Sequence, residues 1–209
     1  MTSLVVISGS GRYADPWHPF AETSARLAET LAGFGEVSVV DDVDAAFVRL
    51  NTESADLVVV NIGNSDDDAP TLAARVGLAA HLERGGAVLG VHSAATAFPQ
   101  WAVWPTVLGG HWVRGTTFHP PQSTCTIDVA GGESFETVDE RYTALELQPG
   151  VDVIATHEHE GETHPLAWVH RFGTANVGYV GLGHDAAAYD SPGARALFGA
   201  VAGRLLGIG

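Results

Sequence analysis

The sequence predicts an α/β fold, an open and mainly parallel sheet with helices on both faces, and three observations predict it. Short runs rich in Val, Leu and Ile alternate along the chain with segments of helical periodicity. Those runs are apolar throughout, as strands covered on both faces are. They close on small or polar residues, the composition of loops that face a ligand beyond the carboxyl ends of parallel strands.

Residues 4–7 (LVVI) form the first expected strand, closing on Ser8-Gly9-Ser10-Gly11. This loop holds part of a dinucleotide fingerprint, but the third glycine and the immediate helix are missing, so no nicotinamide site is expected. Residues 20–34 repeat Phe20, Ala21, Ser24, Leu27, Ala28 and Leu31 at helical spacing and stop at Gly33 and Gly35. Strands follow at 37–40 and 56–62 (DLVVVNI), with a short helix at 44–50 between them and an acidic loop at 66–68 after them. Residues 71–84 supply a helix stopped by Gly85-Gly86, and 101–108 another with Pro105 near its start. From His111 the composition shifts to Thr, aromatic and Pro residues in an alternating pattern, expected as β-structure outside the main parallel sheet. Strands at 151–156, 166–171 and 177–182 follow, the last two joined by a hairpin turn at 173–176, and a helix over 193–206 completes the chain.

A chain of 209 residues can bury about 70% of its unfolded surface as one domain, and residues 1–209 are expected to form one. The net charge of −15, from 10 Lys and Arg against 25 Asp and Glu, repels phosphate backbones and anionic lipids. Neither nucleic acid nor membrane is an expected partner; a homo-oligomer is compatible with the sequence. Cys125 has no second cysteine to pair with, which fits a reducing cytoplasm. The apolar run near Met1 is too short for a signal peptide, and no stretch of about 18 apolar residues occurs.

The expected strand ends bring residues 8–11, 61–65, His92-Ser93 and Gly183-His184 to one edge of the sheet. The sharpest feature among them is GGAVLGVHSAATAF at 85–98, which reads as strand, tight turn and helix. Gly90 and Ala94 stand two residues before and after His92, the spacing of a nucleophile elbow, with histidine where cysteine or serine is usual. A helix N-terminus lowers the pKa of an imidazole below about 6.5, so His92 is expected to be neutral. A neutral imidazole can act as base, hydrogen-bond electrophile or metal ligand; the plainer reading is a core histidine satisfied by backbone. Ser93 is the weaker nucleophile, because an elbow centred there puts Val91 in the crowded flanking position. Cys125 lies in an alternating strand pattern and reads as buried and inert.

The run HEHEGETH at 157–164 has metal-like spacing, since His157 and His159 project to one side of a strand, but also reads as a solvated hairpin loop. A site drawn from separate strands, such as His92, His119 and His184 with a carboxylate, is the better metal candidate. Glu140, in the charged segment VDERY, reads from composition alone as part of a solvated turn. No residue is assigned as a metal ligand and no cofactor is required, although a divalent metal such as zinc is compatible.

Four segments in order, GGAVLGVHSAATAF, LGGHWVRGTTFHPP, VDERYTAL and HPLAWVHRFGTANVGYVGLGHDAAAY, resemble the ThuA-like trehalose-utilisation family over nearly the whole chain. The resemblance implies a flavodoxin-like, class I glutamine amidotransferase-like three-layer sandwich with a small additional β region. In glutaminases of that fold an elbow cysteine works with a late histidine and a glutamate two residues beyond it. Here His92, His184 and Ala186 stand at those positions, so glutamine hydrolysis through a thioester is not available. The family implies carbohydrate as the small-molecule partner, in the form of 3-keto derivatives of disaccharides.

Positions matching family motifs are His18, His92, Ser93, His119, Glu140 and His184. The segment 12–19 departs from the histidine-rich loop that many members show there, which speaks against a metal role for His18. The expected reaction is proton transfer beside the carbonyl of a keto-sugar or 3-keto-glycoside. His92 or Glu140 would be the base and His119 or His184 the polarising group. Ser93, Trp17, His18, Asn64 and Trp112 are the expected substrate contacts, with Trp101 as a further stacking surface. The competing reading is a non-catalytic sugar-binding or regulatory domain with a degenerate amidotransferase site.

Overall fold

In the computed structural model, which describes residues 1–63 and 69–208, the first half of the chain folds as its apolar pattern dictates. Strand β1 (Ser3–Ser8) leads through helix α1 (Phe20–Leu31), β2 (Glu36–Val40), α2 (Val43–Arg49), β3 (Leu57–Asn61) and α3 (Leu72–Glu83) to β4 (Ala87–Val91). Asp42 and Thr71 start α2 and α3 by accepting from the N–H groups of Ala45 and Ala74, at 3.0 and 3.3 Å, which satisfies donors the helix itself leaves free. Every residue of β3 and β4 is buried, as strands covered on both faces must be.

The second half runs through α4 (Trp104–Leu108), β5 (Gly110–His111), β6 (Ser123–Val129), β7 (Phe135–Asp139) and β8 (Glu146–Leu147). It then continues with β9 (Asp152–His159), β10 (Glu162–Phe172), β11 (Ala175–Val180) and α5 (Pro192–Leu206). One sheet has the order β2-β1-β3-β4-β11-β10-β9-β6-β7. Its pairings are parallel from β2 to β11 and antiparallel from β11 to β7.

Because side chains alternate across a strand, β3 feeds two cores. Leu57 and Val59 pack with Leu27 and Leu31 of α1 and Phe198 and Val201 of α5. Val58 and Val60 pack on the other face with Phe47 of α2, Leu78 of α3 and Trp104 of α4. The molecule is therefore a three-layer α/β sandwich with a parallel sheet core, the predicted class. No helix among the described residues is long and apolar enough to cross a membrane.

Three local differences from the sequence reading bear on the site. The residues after His111 mostly join the main sheet, because the turn at Gly173-Thr174 folds β11 back along β10 in antiparallel register. Only β5 and β8 form a separate two-stranded sheet. His157 and His159 belong to β9, and the HEHEGETH loop reduces to a tight turn at Glu160-Gly161, with φ of +52° and +82°. After β4 the chain makes a short 3₁₀ turn, His92–Ala95, where an α-helix was expected.

Candidate functional site

At the end of β4 the backbone reverses at His92, whose φ of +42° costs a non-glycine residue roughly 1–3 kcal/mol. Neighbouring side chains fix that turn. The Tyr179 hydroxyl donates to the His92 carbonyl, the Ser93 hydroxyl to that of Ile62, and the Trp104 indole N–H to that of Ala94, each at 2.8 Å. A Cβ at Gly90 would press on the Leu108 side chain and force it to shift. The elbow is therefore present without its helix. The pKa of His92 is well below 6.5, as expected, but the cause is burial and then the adjacent His18, in place of a helix terminus.

His92 Nδ1 lies 2.9 Å from the Gly181 carbonyl, which can only accept, so Nδ1 carries the hydrogen and Nε2 the lone pair. The loop between β1 and α1 brings in His18, whose Nδ1 faces the Asp15 carboxylate oxygens at 2.7 and 2.8 Å and leaves its Nε2 free. Burial alone would raise the Asp15 carboxyl, but the His18 ring and the N–H groups of Trp17 and His18 outweigh it and hold it below its ordinary range.

Asp139 ties the end of β7 to the chain leaving β11. Its Oδ1 accepts from the N–H groups of Glu140 and His184 at 2.8 and 3.2 Å, and its Oδ2 from that of Gly183 at 2.6 Å. Burial pushes its carboxyl up to about 8, against the pull of these N–H donors. Glu140 and His184 are thereby fixed side by side. Glu140 Oε2 stands 3.2 Å from His184 Nδ1 and 3.5 Å from His119 Nδ1. Burial holds the His184 imidazole below its usual pKa, opposed by Glu140.

The result is convergence. One ligating atom from each of His18, His92, Glu140 and His184 lies within 4.8 Å of the others. His18 Nε2 and His92 Nε2 are buried without a hydrogen-bond partner, and His184 Nδ1 is buried with the Glu140 carboxylate beside it. Among the described residues these four are the group that could hold a metal ion. Above them opens a cleft of about 510 Å³ walled by Trp17, Thr96, Trp112, His119 and Tyr142. A second cavity of about 420 Å³, containing Trp101, His111 and Arg114, shares Thr96 and Trp112 with it.

Most of the residues expected at the site meet here. His92 lies beneath the floor, 1% exposed, with its ring 4.2 Å from that of Tyr142. His119 sits at the rim, its side chain 39% exposed, and Trp17 is 71% exposed at the mouth. His18 joins the cluster that the sequence reading denied it, because the chain from 15 to 18 turns its ring toward His92 and His184, at centroid distances of 5.1 and 4.9 Å. Glu140, read from composition as a solvated turn, is held in the cleft by Asp139.

Other expectations are corrected. Ser93 is buried with its hydroxyl committed to Ile62 and does not line the cleft, which removes it as a nucleophile and as a substrate contact. Trp101 lies in the second cavity. His157 is buried, with Nε2 3.2 Å from the Tyr142 carbonyl, and belongs to no metal-holding group among the described residues. Asn64 lies outside the described residues. Cys125 is buried and its thiol is pushed up to about 11 by burial, as an inert cysteine should be. Asp15, Asp139 and Tyr142 were missed. The i, i+3 spacing of Asp15 and His18 was the available signal for the first; the other two act through contacts between distant strands.

A family model described as ThuA, trehalose utilisation, matches residues 4–201. The chain belongs to the ThuA family. No curated protein matches it significantly. Among solved structures, this ThuA chain is similar to a ThuA-like protein from Parabacteroides merdae, with a TM-score of 0.79 and 17% identity over 99% of this chain and 90% of that one. A ThuA-like protein from Bacteroides uniformis gives 0.70 and 16%, over 99% and 91%. A β-galactosidase from a Rahnella species gives 0.69 and 13%, over 100% of this chain and 32% of the longer one. At these identities the likeness is one of fold. In this ThuA chain Ala186 has no carboxylate with which to orient His184, and Glu140, from the end of a different strand, stands beside it.

Proposed function

We propose that this ThuA-family protein transforms a keto derivative of a disaccharide or glycoside by removing a proton next to its carbonyl. The observation that carries the reading is the placement of Glu140. Its carboxylate faces a cleft walled by Trp17 and Trp112 and stands between His184 at 3.2 Å and His119 at 3.5 Å. A carbonyl acidifies the adjoining C–H bond; Glu140 takes that proton, and polarisation of the carbonyl oxygen stabilises the enolate. Return of the proton at the neighbouring carbon shifts the carbonyl, whereas departure of the oxygen β to it breaks a glycosidic bond.

His119, half exposed at the rim, connects Glu140 to solvent for proton exchange. His92 lies under the floor and acts through the cluster, since its buried ring does not line the cleft. The two cavities sharing Thr96 and Trp112 provide adjoining space for two sugar rings, and tryptophan faces are natural platforms for them.

The test is incubation with 3-keto-trehalose in heavy water, following the keto signal and deuterium at the adjacent carbon. Loss of substrate or deuterium uptake is expected, slowed on the order of 10²–10⁴-fold by Glu140→Gln. Sugar bound without exchange or turnover would assign the protein to the binding modules. A Glu140→Gln variant as active as the parent would remove the base.

A further inference from the structure

We infer that the imidazoles of His18, His92 and His184 bind a divalent transition-metal ion of the zinc type at the floor of the cleft, with Glu140 beside the coordination position that opens to substrate. Buried polar atoms nearly always find partners, so two imidazole nitrogens without one, on His18 and His92, converging on the same space as the Glu140–His184 pair, require an explanation. The remaining unpartnered nitrogens, on His111, His157, Arg75 and Arg141, belong to no such group among the described residues.

The outer contacts are those that orient metal-ligating histidines. Gly181 accepts the Nδ1 hydrogen of His92, and the Asp15 carboxylate holds Nδ1 of His18, so each ring turns its Nε2 lone pair inward. Metal–nitrogen bonds of about 2.1 Å in a tetrahedron put ligands about 3.4 Å apart, a contraction that small rotations of these rings supply from their spread of up to 4.8 Å. Three imidazoles without a thiolate suit zinc, iron, nickel or copper and do not suit calcium or magnesium, which prefer oxygen.

The ion names what polarises the carbonyl in the reaction above, sharing that reading's cleft but not its proof. An ion held by these histidines would supply Lewis-acid polarisation of a carbonyl oxygen in the cleft, while Glu140 accepts the carbon-bound proton. The number of electrons and protons is unchanged, so no further reactant is needed.

The test uses no sugar. The full chain is stripped with a chelator and titrated with Zn²⁺ by calorimetry and with Co²⁺ by visible absorption. A single saturable ion per chain is expected, with the ligand-field bands of a nitrogen-bound cobalt, lost in His18→Gln, His92→Gln and His184→Gln. Asp15→Asn retains the site with affinity weakened on the order of 10–100-fold, and Glu140→Gln retains stoichiometric binding. Circular dichroism confirms folding, and His18→Gln, in a loop, keeps the test available should the His92 variant not fold. Absence of saturable binding, or parental binding by folded His18→Gln or His92→Gln, overturns the site. Loss of the ion in Glu140→Gln as complete as in the histidine variants overturns the place given to Glu140. Metal bound with no turnover of 3-keto-trehalose would leave this inference standing and remove the reaction.

Discussion

Replacing Asp139 with Ala removes the acceptor of three backbone N–H groups at once, those of Glu140, Gly183 and His184, at 2.8, 2.6 and 3.2 Å. A buried donor left unpaired costs about 1–3 kcal/mol, so three cost on the order of 3–6 kcal/mol after the loop relaxes. That is a large share of the roughly 5–15 kcal/mol that keeps a domain folded. Asp139→Asn retains one acceptor oxygen but places an amide N–H₂ where a backbone N–H already points, and loses about 1–3 kcal/mol. Urea unfolding is the first assay; the Ala variant should unfold at clearly lower denaturant than the parent, with the Asn variant between them. Turnover and cobalt absorption are the second. Asp139 positions Glu140 and His184 through their main chains, so the folded Asn variant should lose kcat with KM little changed and show a shifted cobalt spectrum. Parental unfolding, kcat and spectrum in Asp139→Asn would refute the reasoning, because the N–H groups would then have other partners.

Ser93→Ala should leave turnover within about twofold of the parent and cost about 1 kcal/mol in stability, the net value of the hydrogen bond to Ile62. Collapse of turnover to background would restore Ser93 as a nucleophile. His81 is buried away from the site, with Nε2–H donated to the Ala87 carbonyl at 3.0 Å, and burial lowers its pKa below 6.5. The unfolded chain takes up a proton near pH 6.5 that the folded chain excludes. The contribution of neutral His81 is therefore complete above that pH and lost as the pH falls through the folded value. Urea midpoints should fall between about pH 7.5 and 5, and fall less in His81→Gln; equal slopes for parent and variant would contradict this.

The strands β3 and β4 were legible because burial on both faces leaves no polar position, and α1 because its apolar residues keep helical spacing. The edge at which ligands gather followed from them. The antiparallel wing was harder, since an alternating pattern marks a strand without saying which edge it joins; that depended on the register of β10 against β11. Glu140 shows the same limit at the site. A charged tripeptide reads as solvated until the buried Asp139 beside it is seen to bind Gly183, 44 residues on. The contact of Asp15 with His18 at 2.7 Å has a short-range signal, their i, i+3 spacing.

The turn at the end of β4 presents the His92 side chain as a nucleophile elbow presents its residue. A strained turn presents one side chain at a strand end whatever its chemistry, and here Tyr179, Trp104 and Ser93 hold the turn through main-chain carbonyls without touching the imidazole. The ring is oriented separately by Gly181. Turn geometry is thus set by one group of contacts and the orientation of the ring by another. Ala186, two residues beyond His184, carries no carboxylate. His184 is instead served from the end of β7, and the short loop after β1 supplies a third imidazole. His18 and His92 are supported from behind by Asp15 and Gly181, which leaves their Nε2 atoms turned toward each other and toward the Glu140–His184 pair.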